Sequence, residues 1–199
     1  QSYLLISSWL LGLDNEKKLY YRFISTGKNA KLCAIDVSEE FLINEGDKTV
    51  NKDALSILYE FINEKDKDIA DEYAFIILRK FKPNNFVDFF DFLKEYSKSE
   101  LCRKHPNYFL QYLLKCSKDY PEECMELLEN MNFENIPNIQ ERGYYDKEPV
   151  QLILGIYSKL VSEINKDKNL INIALDIFDS MLKHVHLRSS ANQAIETII

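Results

Sequence analysis

The chain has 199 residues, of which 46% are hydrophobic and 29% charged, and its 32 acidic and 25 basic residues give a formal net charge of −7. The composition is ordinary for a globular protein, and the negative charge without a basic stretch argues against nucleic acids and anionic membranes as partners. The five glycines and five prolines are too few for the many tight turns of an all-β sandwich or barrel.

Apolar residues recur at spacings of three and four along almost the whole chain, which is the pattern of amphipathic helices. This pattern predicts helices at 2–12, 15–25, 29–44, 50–63, 69–81, 85–97, 106–118, 121–131, 148–165, 168–186 and 188–199. The first predicted helix is shorter than the about 20 residues that cross a bilayer, and it lacks the basic flank of a signal peptide. Because the chain starts with Gln rather than Met, we expect a fragment of a longer protein.

Glycine and proline mark several predicted helix ends. Gly27 lies in TGKNA, where Arg22 stands in place of the first glycine of a Walker loop and Asn29 replaces its hydroxyl residue. We therefore interpret Gly27 as a helix C-cap. Pro106 and Pro121 are expected in the first turns of their helices, where a missing N–H is tolerated. Asn84 or Asn85 is expected to cap the helix that begins near Phe86.

A short internal sequence repeat indicates how the helices are arranged. Residues 54–58 read ALSIL and residues 174–178 read ALDIF, which places the two segments 120 residues apart. That separation equals three units of the about 40 residues typical of HEAT or armadillo repeats. Together with the succession of helices, it predicts an all-α fold, in which residues 1–199 form a single α-solenoid of stacked antiparallel helix pairs.

The four cysteines form no C-x-x-C pair and do not have zinc-finger spacing with histidines. We therefore expect reduced thiols in a cytoplasmic protein; the alternative is a disulfide framework. Cys102 and His105 are three residues apart, as a thiolate and an activating imidazole could be. Because Pro106 disfavours helical geometry at His105, Cys102 is interpreted as a half-buried structural cysteine.

Helical periodicity is lost at about residues 132–147, which include Pro137 and Gly143. Long irregular segments of this kind are uncommon inside compact domains and are often functional or disordered. Arg142, Tyr144 and Tyr145 are candidate partner-binding residues, since Arg and Tyr are frequent interface anchors. The alternative is a loop packed against the helices through its aromatic side chains.

Residues 168–186 are the remaining candidate for chemistry. Two apolar stripes obey the three-and-four rule, so we expect this helix to be buried between neighbours over most of its circumference. The stripes are Leu170, Ile173, Ala174, Ile177, Met181 and Ile171, Leu175, Phe178, Leu182, Val185. Asp176 and Asp179 fall on the polar stripe that remains, and they are a second pair of candidate partner-binding residues. His184 and His186, two apart on a helix, point about 200° away from each other and could not hold one ion.

The C-terminal sequence also resembles a known group of proteins. EPVQLILGIYSKL is followed by NLINIALDIFDSML and HLRSSANQAIETI, at residues 148–198. This succession is similar to the C-terminal α-helical regions of large bacterial ATP-binding proteins of the STAND/NACHT-like type, some of which act in antiviral defence. The resemblance implies a helical sensor or interaction array whose ATPase chemistry lies upstream of this chain.

These observations favour a non-catalytic scaffold for protein–protein interaction. We expect no cofactor, no metal ion and no catalytic residue in this chain, and a partner that is either another protein or the upstream domains of the same protein. An alternative is a small metal-dependent hydrolase or nuclease that uses Asp176, Asp179 and the two histidines near the C-terminus. A third hypothesis is a module that serves only for oligomerisation.

Overall fold

A computed structural model describes residues 6–7, 17–44, 48–131, 133, 168–183, 188–189 and 192 of the chain. Over these residues the regular structure is helical, apart from one isolated antiparallel bridge between Ile43 and Val50. The predicted all-α fold class is thereby confirmed for the described part of the chain. None of the helices in that part is long and apolar enough to cross a membrane.

Nine α-helices lie within the described residues. They are α1 (Lys17–Ile24), α2 (Lys28–Phe41), α3 (Lys52–Phe61), α4 (Lys67–Arg79), α5 (Phe86–Lys98), α6 (Glu100–Lys104), α7 (Pro106–Cys116), α8 (Pro121–Asn130) and α9 (Lys168–Lys183). A short 3-10 helix at Pro83–Asn85 leads directly into α5. The helices predicted at 2–12, 148–165 and 188–199 lie mostly or wholly outside the described residues.

Polar side chains and prolines set several helix starts. Asn51 caps α3, because its Oδ1 accepts hydrogen bonds from the backbone N–H groups of Asp53 and Ala54 at 3.0 and 3.2 Å. Asp66 caps α4 in the same way. Pro106 and Pro121 are the first residues of α7 and α8, as predicted.

Gly27 and Asn85 do not cap helices in the way that the sequence predicts. Gly27 is the N-cap of α2 rather than a C-cap of α1, and its φ of 132° is a conformation that side chains disfavour. Asn85 precedes α5 but makes no side-chain capping bond; its Nδ2 donates instead to the carbonyl of Lys48 at 3.2 Å. The preceding 3-10 helix supplies the turn that leads the chain into α5.

Helix α6 was not predicted. Ser99 makes its start possible, because its hydroxyl donates to the carbonyl of Tyr96 at the end of α5 and accepts from the N–H of Cys102 at 3.2 Å. One side chain therefore satisfies backbone groups at two adjoining helix ends. His105 then ends α6, directly before Pro106.

The helices pack mainly against near neighbours in the chain. Helix α2 packs against α1, α3 and α4; α4 packs against α6 and α7; α8 packs against α5, α7 and α9. Counted among the described helices, each of these contacts joins elements that are at most three places apart. Every described helix contributes to one hydrophobic cluster, in which aromatic rings are prominent.

Helix α9 is buried on one side only. Ala174, Ile177, Phe178 and Met181 are buried, whereas the side chain of Leu175 is 57% exposed. The expectation that both apolar stripes would be buried is therefore wrong at Leu175. With Asn172, Asp176 and Asp179 also exposed, α9 lies at the surface and packs on α8 through a single face.

Candidate functional site

The two aspartates of α9 lie on its solvent-exposed face. A carboxylate oxygen of Asp179 is 3.1 Å from Nζ of Lys183, one helical turn later, and the two side chains are 67% and 58% exposed. Such exposed ion pairs contribute little to stability. Within the described residues, no group of three or more histidine, cysteine or acidic side chains is placed to hold a metal ion.

The other residues predicted to bind a partner lie outside the described part of the chain. These are Arg142, Tyr144 and Tyr145, and the same is true of His184 and His186. From the segment 132–147 only Phe133 is described, and it belongs to the buried core. The proposed roles of this segment and of the two histidines therefore stay predictions.

Cys102 and His105 face different surroundings. The Cys102 side chain is fully buried rather than half-buried as predicted, and burial raises the pKa of its thiol well above the usual range. His105 Nε2 instead contacts the carboxylate of Asp71 on α4. A raised thiol pKa is the opposite of what a cysteine nucleophile requires.

A surface centred on α4 has the features of a binding site, and the sequence interpretation missed it. Asp71, Phe75 and Arg79 follow one another at intervals of four residues, so they lie along one side of the helix. The opposite side is buried in the core through residues such as Tyr73 and Ile77. Phe75 is nevertheless 41% exposed, which makes it an aromatic residue outside the helix's buried face.

Arg79 joins this side of α4 to α2. Its Nη2 lies 2.8 Å from a carboxylate oxygen of Glu39, and its guanidinium carbon lies 5.4 Å from the centre of the Phe75 ring. The Glu39 side chain is only 9% exposed, and a carboxylate in that environment needs a charged partner. Arg79 is thus held over Phe75 by an ion pair from the neighbouring helix.

Two aromatic groups complete the surface on the side of α7. The rings of Phe75 and Tyr108 have centroids 5.9 Å apart, and those of Tyr108 and His105 are 6.1 Å apart. His105 in turn contacts Asp71. Glu39, Arg79, Phe75, Tyr108, His105 and Asp71 are thus joined by contacts. Asp36 lies one turn before Glu39, and Glu72 one turn before Phe75. We call these eight residues the Phe75 surface.

Acidic groups surround the aromatic centre of the Phe75 surface. Burial raises the pKa of the half-buried Glu72 carboxyl; Arg79 opposes this rise, and the negative charges of Asp36, Glu39 and Asp71 add to it. Among the described residues, no lysine or arginine forms an ion pair with Asp36 or Glu72. On α2, Lys28 pairs with Asp66 and Asp68, and Lys31 pairs with Glu64.

Comparisons of the chain with protein-family models, curated proteins and solved structures give no match.

Proposed function

We propose that this chain is a non-catalytic helical-repeat scaffold that binds a protein partner. In this proposal the helices stack as antiparallel pairs in a HEAT- or armadillo-like solenoid, and the protein works in the cytoplasm without a cofactor. Support for stacking comes from the main contacts between the described helices, which join elements at most three places apart in their order. Packing of each unit against its near neighbours is the principle of solenoid proteins.

The observation that carries the proposal is the composition of the Phe75 surface. An exposed phenylalanine, a tyrosine and an arginine held over the phenylalanine ring lie together on adjoining helices. Phenylalanine, tyrosine and arginine are enriched in protein interfaces, and tyrosine and arginine are enriched among the few residues that carry most of the binding energy. Phe75 also lies on the side of α4 that faces away from the core.

We further propose that the scaffold is the C-terminal sensor or interaction region of a larger bacterial NTPase, of a type in which some members act in antiviral defence. The support is the ALDIFD motif and its neighbours in the sequence. Ala174, Ile177 and Phe178 of that motif are buried on α9. The resemblance to this group of proteins consists mostly of such core-packing residues. The partner is then another protein or an upstream domain of the same one.

Site-specific photocrosslinking in the source cells tests the proposal. The photoreactive amino acid p-benzoylphenylalanine is placed at position 75, and at position 87 as a matched control, because Val87 is an exposed apolar residue on α5. We expect a defined crosslinked protein from position 75 only. The purified partner should then bind the unmodified chain in calorimetry and bind a Phe75→Glu variant much more weakly.

An activity assay separates the scaffold from the hydrolase alternative. The purified chain should turn over neither ATP nor nucleic acid in the presence of Mg²⁺ or Zn²⁺. If it shows such an activity, and Asp176→Asn abolishes that activity while the circular dichroism spectrum is unchanged, the scaffold proposal is wrong. Recovery of no partner from any crosslinking position on the chain would also contradict it.

A further inference from the structure

The Phe75 surface carries more negative charge than the cations beside it balance. Asp36, Glu39, Asp71 and Glu72 contribute four carboxylates, whereas the cations are Arg79 and Lys67, which lies one turn before Asp71 on α4. Arg79 is already paired with Glu39 at 2.8 Å, and Asp71 contacts His105. The carboxylates of Asp36 and Glu72 therefore remain available to a partner's cation.

The arrangement of these groups restricts the chemistry of the partner. The centre is apolar, because Phe75 and Tyr108 pack against each other there. Asp36 lies one turn before Glu39 on α2, and Glu72 lies one turn before Phe75 on α4. Because α2 packs against α4 and Glu39 pairs with Arg79, the Asp36 and Glu72 carboxylates fall on the same side as that centre. An apolar side chain would fit the centre, and a cation beside it would meet either the carboxylates or the face of an aromatic ring.

We propose that the Phe75 surface binds a basic peptide segment of a second protein, in which lysine or arginine side chains flank an apolar side chain. The apolar side chain contacts Phe75 and Tyr108, and the flanking cations pair with Asp36 and Glu72. This inference rests on the proposed function, whose partner it describes chemically. Phosphate-bearing ligands are disfavoured, because four carboxylates repel them.

A second copy of the chain fits this surface poorly. In a symmetric dimer the same patch would face itself, so that Asp36 and Glu72 of one copy would meet the acidic groups of the other. Juxtaposed like charges weaken an interface and suppress such pairings. The charge pattern therefore favours a partner of opposite sign over self-association.

A binding assay with synthetic peptides tests the inference on the whole 199-residue chain. The probe is a fluorescein-labelled peptide in which lysines flank a central Leu-Phe pair. One comparison peptide has glutamate in place of every lysine, and another has Ser-Ser in place of Leu-Phe. Fluorescence anisotropy should show binding of the first peptide only, and this binding should weaken as salt is added.

Substitutions in the Phe75 surface, compared with matched controls on α5, test whether the peptide binds at this surface. Phe75→Ser should weaken binding of the lysine peptide by about tenfold, and Asp36→Asn combined with Glu72→Gln by about fivefold or more. The controls are on α5: Val87→Ser removes another exposed apolar side chain, and Asp88→Asn with Asp91→Asn removes two other exposed carboxylates. Both controls should bind as the unmodified chain does, and circular dichroism checks that each variant is folded.

Three results would overturn the inference. One is that Asp88→Asn with Asp91→Asn weakens peptide binding as much as Asp36→Asn with Glu72→Gln does, which would mean that only the net charge of the chain matters. Another is equal binding of the Ser-Ser peptide. The third is a crosslinked partner at position 75 that has no basic segment or belongs to the parent protein itself; in that case the scaffold proposal stands and only this inference fails.

Discussion

Cys102, Cys116 and Cys124 are buried in the core, whereas Cys33 on α2 is only partly buried. Burial raises the pKa of the Cys116 thiol to about 11, although a hydrogen bond with Tyr112 opposes the rise. Burial also raises the thiol pKa of the other three cysteines. The raised pKa keeps these thiols neutral. The contribution of the neutral Cys116 thiol to the free energy of unfolding is complete below the usual thiol pKa, and it is lost as the pH rises towards 11.

We expect a thiol reagent at about pH 7.5 to modify Cys33 quickly and the other three cysteines very slowly, because the thiolate is the reactive form and the buried thiols are both neutral and inaccessible. Mass spectrometry of the alkylated chain measures the order of modification. Cys33→Ser should remove the fast phase, and all remaining thiols should react in concentrated urea. Fast modification of Cys102 in the folded chain would contradict the burial described here.

Helix ends differ in how well the sequence predicts them. Pro106 and Pro121 mark helix starts correctly, because the chemistry of proline at a first turn is local. Helix α6 was missed because its five residues are too few to display a period. Its start depends on Ser99, whose hydroxyl serves two helix ends at once.

The apolar periodicity of α9 does not determine which of its two apolar stripes is buried. The apolar spacing fits burial of Ile177 and Leu175 equally well, yet Ile177 is 6% exposed and Leu175 is 57% exposed. Which stripe is buried depends on how many neighbours the helix has. The helix against which α9 packs in the described residues is α8, and one neighbour covers one face.

Substitutions on α9 should therefore differ strongly in cost. Ile177→Ala should lower the free energy of unfolding by about 2–4 kcal/mol, since it leaves a cavity against α8, and Leu175→Ala should cost less than about 0.5 kcal/mol. Urea unfolding followed by circular dichroism measures both values. Similar costs for the two variants would mean that α9 is enclosed on both sides, as its sequence pattern first indicated.

The Phe75 surface could be predicted only in part. Phe75 falls among Asp68, Asp71, Glu72 and Arg79 on the polar side of α4, and an aromatic residue out of phase with the buried face is a signal visible in the sequence. Glu39 and Tyr108, which complete the surface, come from α2 and α7, two and three places from α4 among the described helices. Only the packing of α2 and α7 against α4 brings them together.

At the scale of the whole molecule, an aromatic cluster links four of the described helices, α3, α4, α5 and α7. The ring of Phe92 on α5 lies near Tyr59 on α3, Tyr73 on α4, Phe81 and Tyr96, at centroid distances from 5.2 to 6.4 Å. Tyr96 in turn contacts Phe109 on α7 at 5.4 Å. Contacts that span four helices in this way favour cooperative unfolding over the stepwise unfolding possible for stacked arrays.

Phe92→Ala should therefore destabilise the described helices together. The side chain is 1% exposed, so we expect a loss of about 3–5 kcal/mol, with one transition that coincides in far-UV circular dichroism and tyrosine fluorescence. The control is Phe90→Ala on the same helix, because Phe90 is half-buried and contacts Phe86 at the edge of the cluster. If Phe92→Ala instead separates the two transitions, the helices form independent units, and the aromatic cluster does not hold them in one cooperative structure.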